Sequence, residues 1–149
     1  MNNYSVLFKN CVEIINGYEP NKTLILGEIC NLLRENIDYY DWVGFYFLDK
    51  NKKKLILRCF AGKTTEHEEI PVGKGICGQV AKNSKSLIID DVSKEKNYIS
   101  CDIDVKSEIV VPIFVNGENF GQIDVDSKKI NAFDKNDENF LKQINELIS

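Results

Sequence analysis

The sequence predicts an α+β fold in which a central antiparallel sheet is flanked by N-terminal and C-terminal helices. Apolar residues recur at helical spacing in the first 36 residues and again from Phe133 to the end of the chain. Between these segments, short apolar runs follow the period of two that is typical of strands. Polar turns separate runs that are neighbours in sequence, which favours hairpins and therefore antiparallel pairing.

Length and composition indicate one globular domain over residues 1–149. Hydrophobic residues make up 43% of the chain and charged residues 28%, which argues against disorder. The apolar runs are far shorter than the roughly 20 residues of a membrane-spanning helix, and the start does not resemble a signal peptide. We therefore expect a cytoplasmic protein. The net charge of −4 and the scattered basic residues argue against nucleic acid or a membrane as a partner.

Apolar stripes predict three long helices. The first two cover about residues 4–18 and 20–36, and the third is amphipathic and covers about residues 133–148. Cys11 and Cys30 fall on the stripes of the first two helices, so we interpret both as core residues.

A predicted hairpin follows the second helix. The run Trp42–Leu48 is almost wholly apolar, so both faces of this strand must be covered. Alternation places Trp42, Gly44 and Tyr46 on one face. A polar turn then leads to the second strand, Leu55–Phe60.

A glycine-rich turn precedes a short predicted helix. Gly73 and Gly75 permit a tight turn, and Ile76–Lys82 has the composition of a helix. Cys77 would lie in the first turn of this helix, where unpaired N–H groups and the helix dipole favour an anion such as a thiolate. The alternative is that Cys77 packs like any small apolar residue. A strand at Ser86–Asp90 follows.

The segment Asp91–Lys106 is predicted to be a long loop. Loops longer than about 12 residues in a compact domain are usually functional. This loop carries Cys101, which is surrounded by charged residues such as Asp102 and Asp104. A thiol in such a polar setting is a candidate reactive group, although most single cysteines are packing residues.

The last two strands, Glu108–Val115 and Asn119–Ser127, form a predicted hairpin whose register can be chosen in two ways. A two-residue Asn-Gly turn would set Ile109 opposite Asp124 and mix charge with core on both faces. A three-residue loop with a bulge pairs Glu108 with Asp124 and keeps one face apolar. We therefore predict the second arrangement.

That arrangement gathers three carboxylates, Glu108, Asp124 and Asp126, at one end of a sheet face that is otherwise apolar. Like charges held close together raise one another's pKa, which suits proton donation or the binding of a cationic ligand. Trp42 and Tyr46 are candidates for the wall of the same pocket. The alternative is a solvated sheet face.

The cysteine pattern argues against a structural zinc site, and we expect neither a metal nor a cofactor. The chain has five cysteines, no CxxC motif and a single histidine, His67, so a structural zinc site is not expected. In a reducing compartment, functional cysteines are catalytic or redox-active rather than permanent bridges.

Four motifs, taken together, resemble those of the free methionine-(R)-sulfoxide reductases, which are stand-alone GAF domains. The resemblance runs from about Asp41 to Phe133 and preserves the order and intervals of the motifs. The matching segments are Asp41–Tyr46, Ile70–Gly78, Cys101–Asp102 with Ser107–Pro112, and Gly121–Ser127.

The resemblance implies an L-methionine (R)-S-oxide reductase. Cys101 would attack the sulfoxide and become a sulfenic acid, and Cys77 would resolve it into a disulfide that thioredoxin or a similar dithiol reduces. Glu108 and Asp126 would take catalytic acid–base roles. Asp124, with Trp42 and Tyr46, would bind the substrate. Family members are often dimeric, so a homodimer is an expected arrangement.

One position departs from the family pattern. Many members carry an additional cysteine ten residues before the glycine-turn cysteine, and this chain has His67 there. The departure removes an alternative resolving cysteine and leaves Cys77 as the partner that forms a disulfide with Cys101. Two other functions remain open at this point, namely a non-enzymatic GAF domain that senses a small molecule and a thiol redox sensor.

Overall fold

The computed structural model describes residues 3–17, 22–49, 51–96 and 104–149. Within these ranges, six strands form one sheet, accompanied by four α-helices and one short 3-10 helix. The predicted nucleophile, Cys101, lies outside the described residues. The α+β architecture with a central antiparallel sheet confirms the predicted fold class.

The helices and strands are numbered in chain order. The helices are α1 (Tyr4–Gly17), α2 (Lys22–Asn36), α3 (Gly75–Asn83) and α4 (Lys135–Ile148), with the 3-10 helix at Val92–Lys94. The strands are β1 (Trp42–Leu48), β2 (Lys54–Ala61), β3 (Glu69–Pro71), β4 (Leu87–Ile89), β5 (Ser107–Val115) and β6 (Glu118–Ser127).

The strands are ordered β3-β2-β1-β6-β5-β4, and every neighbouring pair is antiparallel. The central strand β1 has its first five residues buried, as its continuous apolar run predicts. The edge strand β3 was not predicted. Its three residues include a charged Glu69 and Pro71, which is a weak strand signal but is tolerated at an edge.

Helices cover both faces of the sheet. One core lies between the sheet and α1, α2 and α4, and it includes Ile109, Ile123 and Ile144. The smaller core on the other face lies under α3 and includes Tyr46 and Val110. Among the helices that the structure describes, none is long and apolar enough to cross a membrane.

A buried carboxylate connects α1, the segment between α2 and β1, and α4. The Oδ1 atom of Asp137 accepts hydrogen bonds from the hydroxyls of Tyr4, Tyr39 and Tyr40 at 2.9, 2.8 and 2.8 Å. Its Oδ2 atom accepts from the backbone N–H of Asp134, which completes a capping box at the start of α4. Asp137 therefore fixes the N-terminus of α4 against the start of the sheet.

The turn between β5 and β6 differs from the prediction. Asn116 and Gly117 both have positive φ, 53° and 78°, and Val115 pairs directly with Glu118. These dihedral angles are typical of a two-residue type I′ turn, which Asn-Gly strongly favours. The predicted three-residue loop is therefore wrong.

A bulge further along the hairpin corrects the register. Phe114 pairs with Asn119, but Ile113 pairs with Gly121, so Phe120 is an extra residue in β6. Because of this extra residue, apolar side chains of β5 lie opposite apolar side chains of β6, on the sheet face that α1, α2 and α4 cover. They are Ile109, Val111 and Ile113 of β5 with Ile123 and Val125 of β6. The predicted faces are therefore confirmed, although the predicted pairing of Glu108 with Asp124 is wrong. Glu108 pairs with Asp126, and Asp124 pairs with Val110.

Candidate active site

The site begins as a row of side chains across three strands. Trp42 on β1 lies opposite Asp126 on β6, which lies opposite Glu108 on β5. In the next row, Gly44 lies opposite Asp124. Cross-strand partners share a face of the sheet, so the three carboxylates and the indole lie together on the face that α3 covers.

Two glycines make room for the indole. A Cβ atom at Gly44 would lie only 2.2 Å from the Trp42 ring, and one at Gly62, whose φ is +126°, would lie 2.8 Å from it. The indole stacks on Phe60 with a centroid distance of 5.7 Å, and its Nε1 donates to the backbone carbonyl of Lys63 at 3.0 Å. Trp42 is therefore held in one orientation.

Cys77 reaches the carboxylates from the opposite layer. It lies in the first turn of α3, as predicted, and its Sγ lies 3.9 Å from Oε2 of Glu108. Gln122 on β6 donates its Nε2 to the backbone carbonyl of Cys77 at 3.0 Å, which ties the helix to the sheet. The exposed fractions of Cys77, Glu108, Asp124 and Asp126 are 5%, 5%, 2% and 3%. The predicted carboxylate cluster is therefore buried rather than solvated.

Burial and mutual repulsion shift the titration of this cluster. Burial, followed by the charges of Asp124 and Asp126, raises the pKa of Glu108 well above its ordinary value. Burial also raises the pKa of Asp124, although hydrogen bonds from Glu108 and Cys77 lower it in part. Glu108 is therefore the carboxyl group with the clearest reason to hold a proton.

The same forces favour the protonated form of Cys77. Burial, and then the charges of Asp124, Glu108 and Asp126, raise the pKa of its thiol well above 9. The helix N-terminus supplies only about half a positive charge, which these terms outweigh. Of the two interpretations of Cys77, burial and the neighbouring carboxylates therefore favour a packed, protonated thiol over a thiolate held by the helix N-terminus.

Two cavities adjoin the cluster. A cavity of about 90 Å³ is bounded by Trp42, Asp126 and Val105 together with polar residues. Those polar residues are Arg34, Asp41, Lys63, Thr65 and Lys128. A narrow cavity of about 10 Å³ lies between Cys77, Glu108 and Asp124.

The remaining predicted site residues are placed differently. Tyr46 is fully buried and donates its hydroxyl to the backbone carbonyl of His67 at 2.9 Å, with its ring 6.4 Å from that of Trp42. It supports Trp42 from within the core. The role of Cys101 stays a prediction, since the residue lies outside the described chain. No sequence pattern pointed to Arg34 or Lys63 as cavity residues, because they reach the cavity only through the fold.

Comparison with known proteins adds independent information. Residues 23–149 match the family model described as the GAF domain. The free methionine-R-sulfoxide reductase of Escherichia coli is 34% identical over 132 residues, which cover 87% of this chain and 78% of that protein. GAF domain-containing protein A of Dictyostelium discoideum is 37% identical over 144 residues, which cover 95% and 89%.

A solved structure agrees with these relatives. The chain superposes on free methionine-R-sulfoxide reductase from Neisseria meningitidis, solved in complex with its substrate, with a TM-score of 0.90 and 29% identity. The match covers 97% of this chain and 85% of that one. The sheet order, the layers of helices and the family match together define the GAF class of domain. Within that class, the chain belongs to the free methionine-R-sulfoxide reductases, as the sequence motifs implied.

Proposed function

We propose that this chain reduces free L-methionine-(R)-sulfoxide to methionine and water at the expense of thiols. The observation that supports this most is the buried cluster of a thiol and three carboxylates beside the fixed indole of Trp42. Relatives that are named for this reaction share the fold over most of both chains. We infer that the residues of this site carry out the same reaction.

Glu108 is the proposed proton donor. A sulfoxide oxygen is a poor leaving group until it is protonated or strongly hydrogen-bonded. Burial beside two other carboxylates raises the pKa of Glu108, so it holds its proton to a higher pH than an exposed glutamate does. Asp126 lies directly opposite it in the sheet and also borders the Trp42 cavity, which suits a shared acid–base role.

The charges around the cavity suit a free amino acid. Asp124 and Asp126 offer negative charge to the substrate ammonium group, and Arg34, Lys63 and Lys128 at the cavity offer positive charge to its carboxylate. Trp42 supplies the apolar wall for the methyl group. A methionine sulfoxide within a peptide has neither terminal charge, so we expect it to be rejected.

The first chemical step is assigned to Cys101 by family likeness. Its sulfur bonds to the sulfoxide sulfur as the S–O bond breaks and the protonated oxygen leaves as water. Water then attacks the sulfur of Cys101, the S–S bond breaks, methionine leaves, and Cys101 becomes a sulfenic acid. The substrate gains two electrons and Cys101 loses two. Cys101 precedes the cavity residue Val105 by four positions in the sequence.

Cys77 completes the cycle in this proposal. Its sulfur attacks the sulfenic sulfur of Cys101, a disulfide forms, and the hydroxyl group leaves as water with the proton of the Cys77 thiol. Thioredoxin or a similar dithiol then reduces the disulfide by exchange. The resting thiol of Cys77 prevents it from competing with Cys101 for substrate.

Single-turnover measurements test the proposal. Reduced protein is mixed with the R or S epimer of free methionine sulfoxide, or with a peptide that contains the sulfoxide, and methionine and protein thiols are counted by mass spectrometry. We expect consumption of the free R epimer alone. Consumption of peptide sulfoxide at a comparable rate, or no consumption of the free R epimer, would contradict the proposal.

Cysteine variants assign the two thiols. Cys101→Ser should abolish turnover, whereas Cys77→Ser should release one methionine per chain and then stop. Cys59→Ser, on β2 and outside the site, is the matched control and should turn over normally with thioredoxin. If peroxide, but not methionine sulfoxide, forms a disulfide between Cys77 and Cys101, the chain is a thiol redox sensor instead.

A further inference from the structure

Three atoms of metal-ligand type converge in the narrow cavity. The Sγ of Cys77 and one carboxylate oxygen each of Glu108 and Asp124 all lie within 4.8 Å of one another, and all three side chains are buried. They come from three different elements, α3, β5 and β6. Thiolate sulfur and carboxylate oxygen are ligands that Zn²⁺ accepts in proteins.

The spacing suits a single tetrahedral ion. Ordinary Zn–S and Zn–O bond lengths with tetrahedral angles put the sulfur and the oxygen about 3.6 Å apart. The sulfur of Cys77 lies 3.9 Å from Oε2 of Glu108, so a shift of a few tenths of an ångström would suffice. The cavity of about 10 Å³ between these residues has room for one ion and not for an amino acid.

An unsatisfied oxygen points to the same conclusion. Asp124 is only 2% exposed, and although its carboxylate accepts from Glu108 and Cys77, its Oδ1 atom has no hydrogen-bond partner among the residues that the structure describes. A buried carboxylate oxygen without a partner costs free energy, which coordination to a cation would recover. The cation would also relieve the repulsion among the clustered carboxylates, which is one cause of the raised pKa of Glu108.

We infer that Cys77, Glu108 and Asp124 form a binding site for one thiophilic divalent cation such as Zn²⁺. Binding displaces the thiol proton of Cys77 and any proton held by the two carboxyl groups, and these protons pass to solvent without electron transfer. The sulfur of Cys77 is then a metal ligand and cannot attack a sulfenic acid. Zn²⁺ at this site would therefore block the proposed reductase reversibly, but the site itself does not depend on the proposed reaction.

Cobalt provides a direct probe, because thiolate coordination to Co²⁺ gives a charge-transfer band in the near ultraviolet. Reduced protein in oxygen-free, chelator-free buffer is titrated with CoCl₂, and Zn²⁺ is then added as a competitor. We expect one Co²⁺ per chain, a charge-transfer band, and loss of the band when Zn²⁺ is added. Cys77→Ser should lose the band. Asp124→Asn and Glu108→Gln should weaken binding about tenfold or more.

Cys59→Ser is the matched control, since this cysteine belongs to the other face of the sheet and should leave the band and the affinity unchanged. Thermal unfolding shows whether each variant is folded. If Cys77→Ser does not fold, the affinity of Asp124→Asn for Co²⁺ decides whether the site exists. A band that persists in Cys77→Ser, a normal affinity in Asp124→Asn, or no band in the wild type up to millimolar Co²⁺ would each overturn the inference.

Discussion

Glu108 shows how the fold gives one side chain a chemical property that its residue type lacks. An exposed glutamate is ionised at neutral pH, whereas burial and two neighbouring carboxylates raise the pKa of Glu108 well above 4.5. A raised pKa suits the proton donor that we propose, but keeping the charged form buried reduces stability. Function and stability therefore oppose each other at this residue.

Glu108→Gln should stabilise the metal-free protein at pH 7 by about 1–2 kcal/mol while turnover falls about 100-fold or more. Because its folded-state pKa is raised, the wild-type carboxyl contributes stability below about pH 4.5 and loses it as pH rises through the folded-state value. The advantage of the variant should therefore grow from pH 4 to pH 8. Thermal unfolding of both proteins across this range measures it, and a constant or reversed difference would contradict the raised pKa.

Gly44→Ala should displace the indole of Trp42, because the added methyl group would lie 2.2 Å from the ring. We expect a loss of about 1–3 kcal/mol of stability and a clear increase in KM for the sulfoxide. Gly27→Ala is the control, since no described atom outside its own helix lies within 4 Å of the added Cβ. That variant should gain about 0.5–1 kcal/mol and keep its KM. Equal effects of the two substitutions would argue against the proposed role of Trp42.

At the scale of elements, the β5–β6 hairpin sets which side chains meet. With its two-residue turn and no bulge, the hairpin would place apolar residues of one strand opposite carboxylates of the other. The extra residue Phe120 shifts the pairing by one position, so that apolar residues face apolar residues and carboxylates face carboxylates. Glu108 and Asp126 become partners only because of this bulge. A feature of one residue thus positions the carboxylate cluster.

Deletion of Phe120 should leave the protein folded with Glu108 still opposite Asp126, because Phe120 is the extra residue of the bulge and Ile113 can pair with Gly121 without it. Phe120→Ser is the matched control, since it keeps the bulge and changes a side chain that is 42% exposed. It should cost about 1 kcal/mol or less. Circular dichroism and thermal unfolding compare the two variants, and a deletion protein that fails to fold would show that the hairpin needs the local twist of the bulge as well as its register.

The N-terminus of α4 depends on Asp137. Asp137→Ala removes the acceptor of three tyrosine hydroxyls and one side of the capping box, so we expect a loss of about 2–4 kcal/mol. Glu146→Ala, at an exposed position of the same helix, should change stability by about 0.5 kcal/mol or less. Urea unfolding of both variants gives the comparison. Similar losses in both would mean that the cluster adds nothing beyond helix propensity.

At the scale of the whole molecule, the sheet divides the chain into two cores that protect different thiols. Cys11 and Cys30 lie in the core under α1, α2 and α4, and Cys77 lies under α3. Burial raises the pKa of Cys11 to about 11 and is also the largest cause of the raised pKa of the other two. Cys59 is only partly buried.

Thiol labelling of the folded, reduced protein with iodoacetamide should therefore be uneven. At pH 7.5 we expect Cys59 to react well before Cys77 and Cys11, because the thiolate is the reactive form and burial suppresses it. Labelling of Cys77 should accelerate only as pH rises well above 9. Peptide mapping by mass spectrometry gives the rates, with urea-unfolded protein as the control in which all cysteines react. Rapid labelling of Cys77 at pH 7.5 would show that the helix N-terminus holds a thiolate after all.

The sequence predicted most of the fold because periodicity is a local property. The alternation in β1, β5 and β6 fixed which side chains share a face, and the helical stripes fixed the three long helices. The three-residue strand β3 escaped prediction because a run of that length, with a charge and a proline, carries almost no periodic signal.

What the sequence determined by itself was the content of the site: three carboxylates on one sheet face, a tryptophan beside them and a cysteine at a helix start. Only the tertiary structure decided that Glu108 meets Asp126, that Gly44 and Gly62 give the indole its position, and that Cys77 is a buried thiol. The physical reason is distance along the chain. Cys77 and Glu108 are 31 residues apart, and their titration depends on charges and burial that exist only once α3 has packed on the sheet.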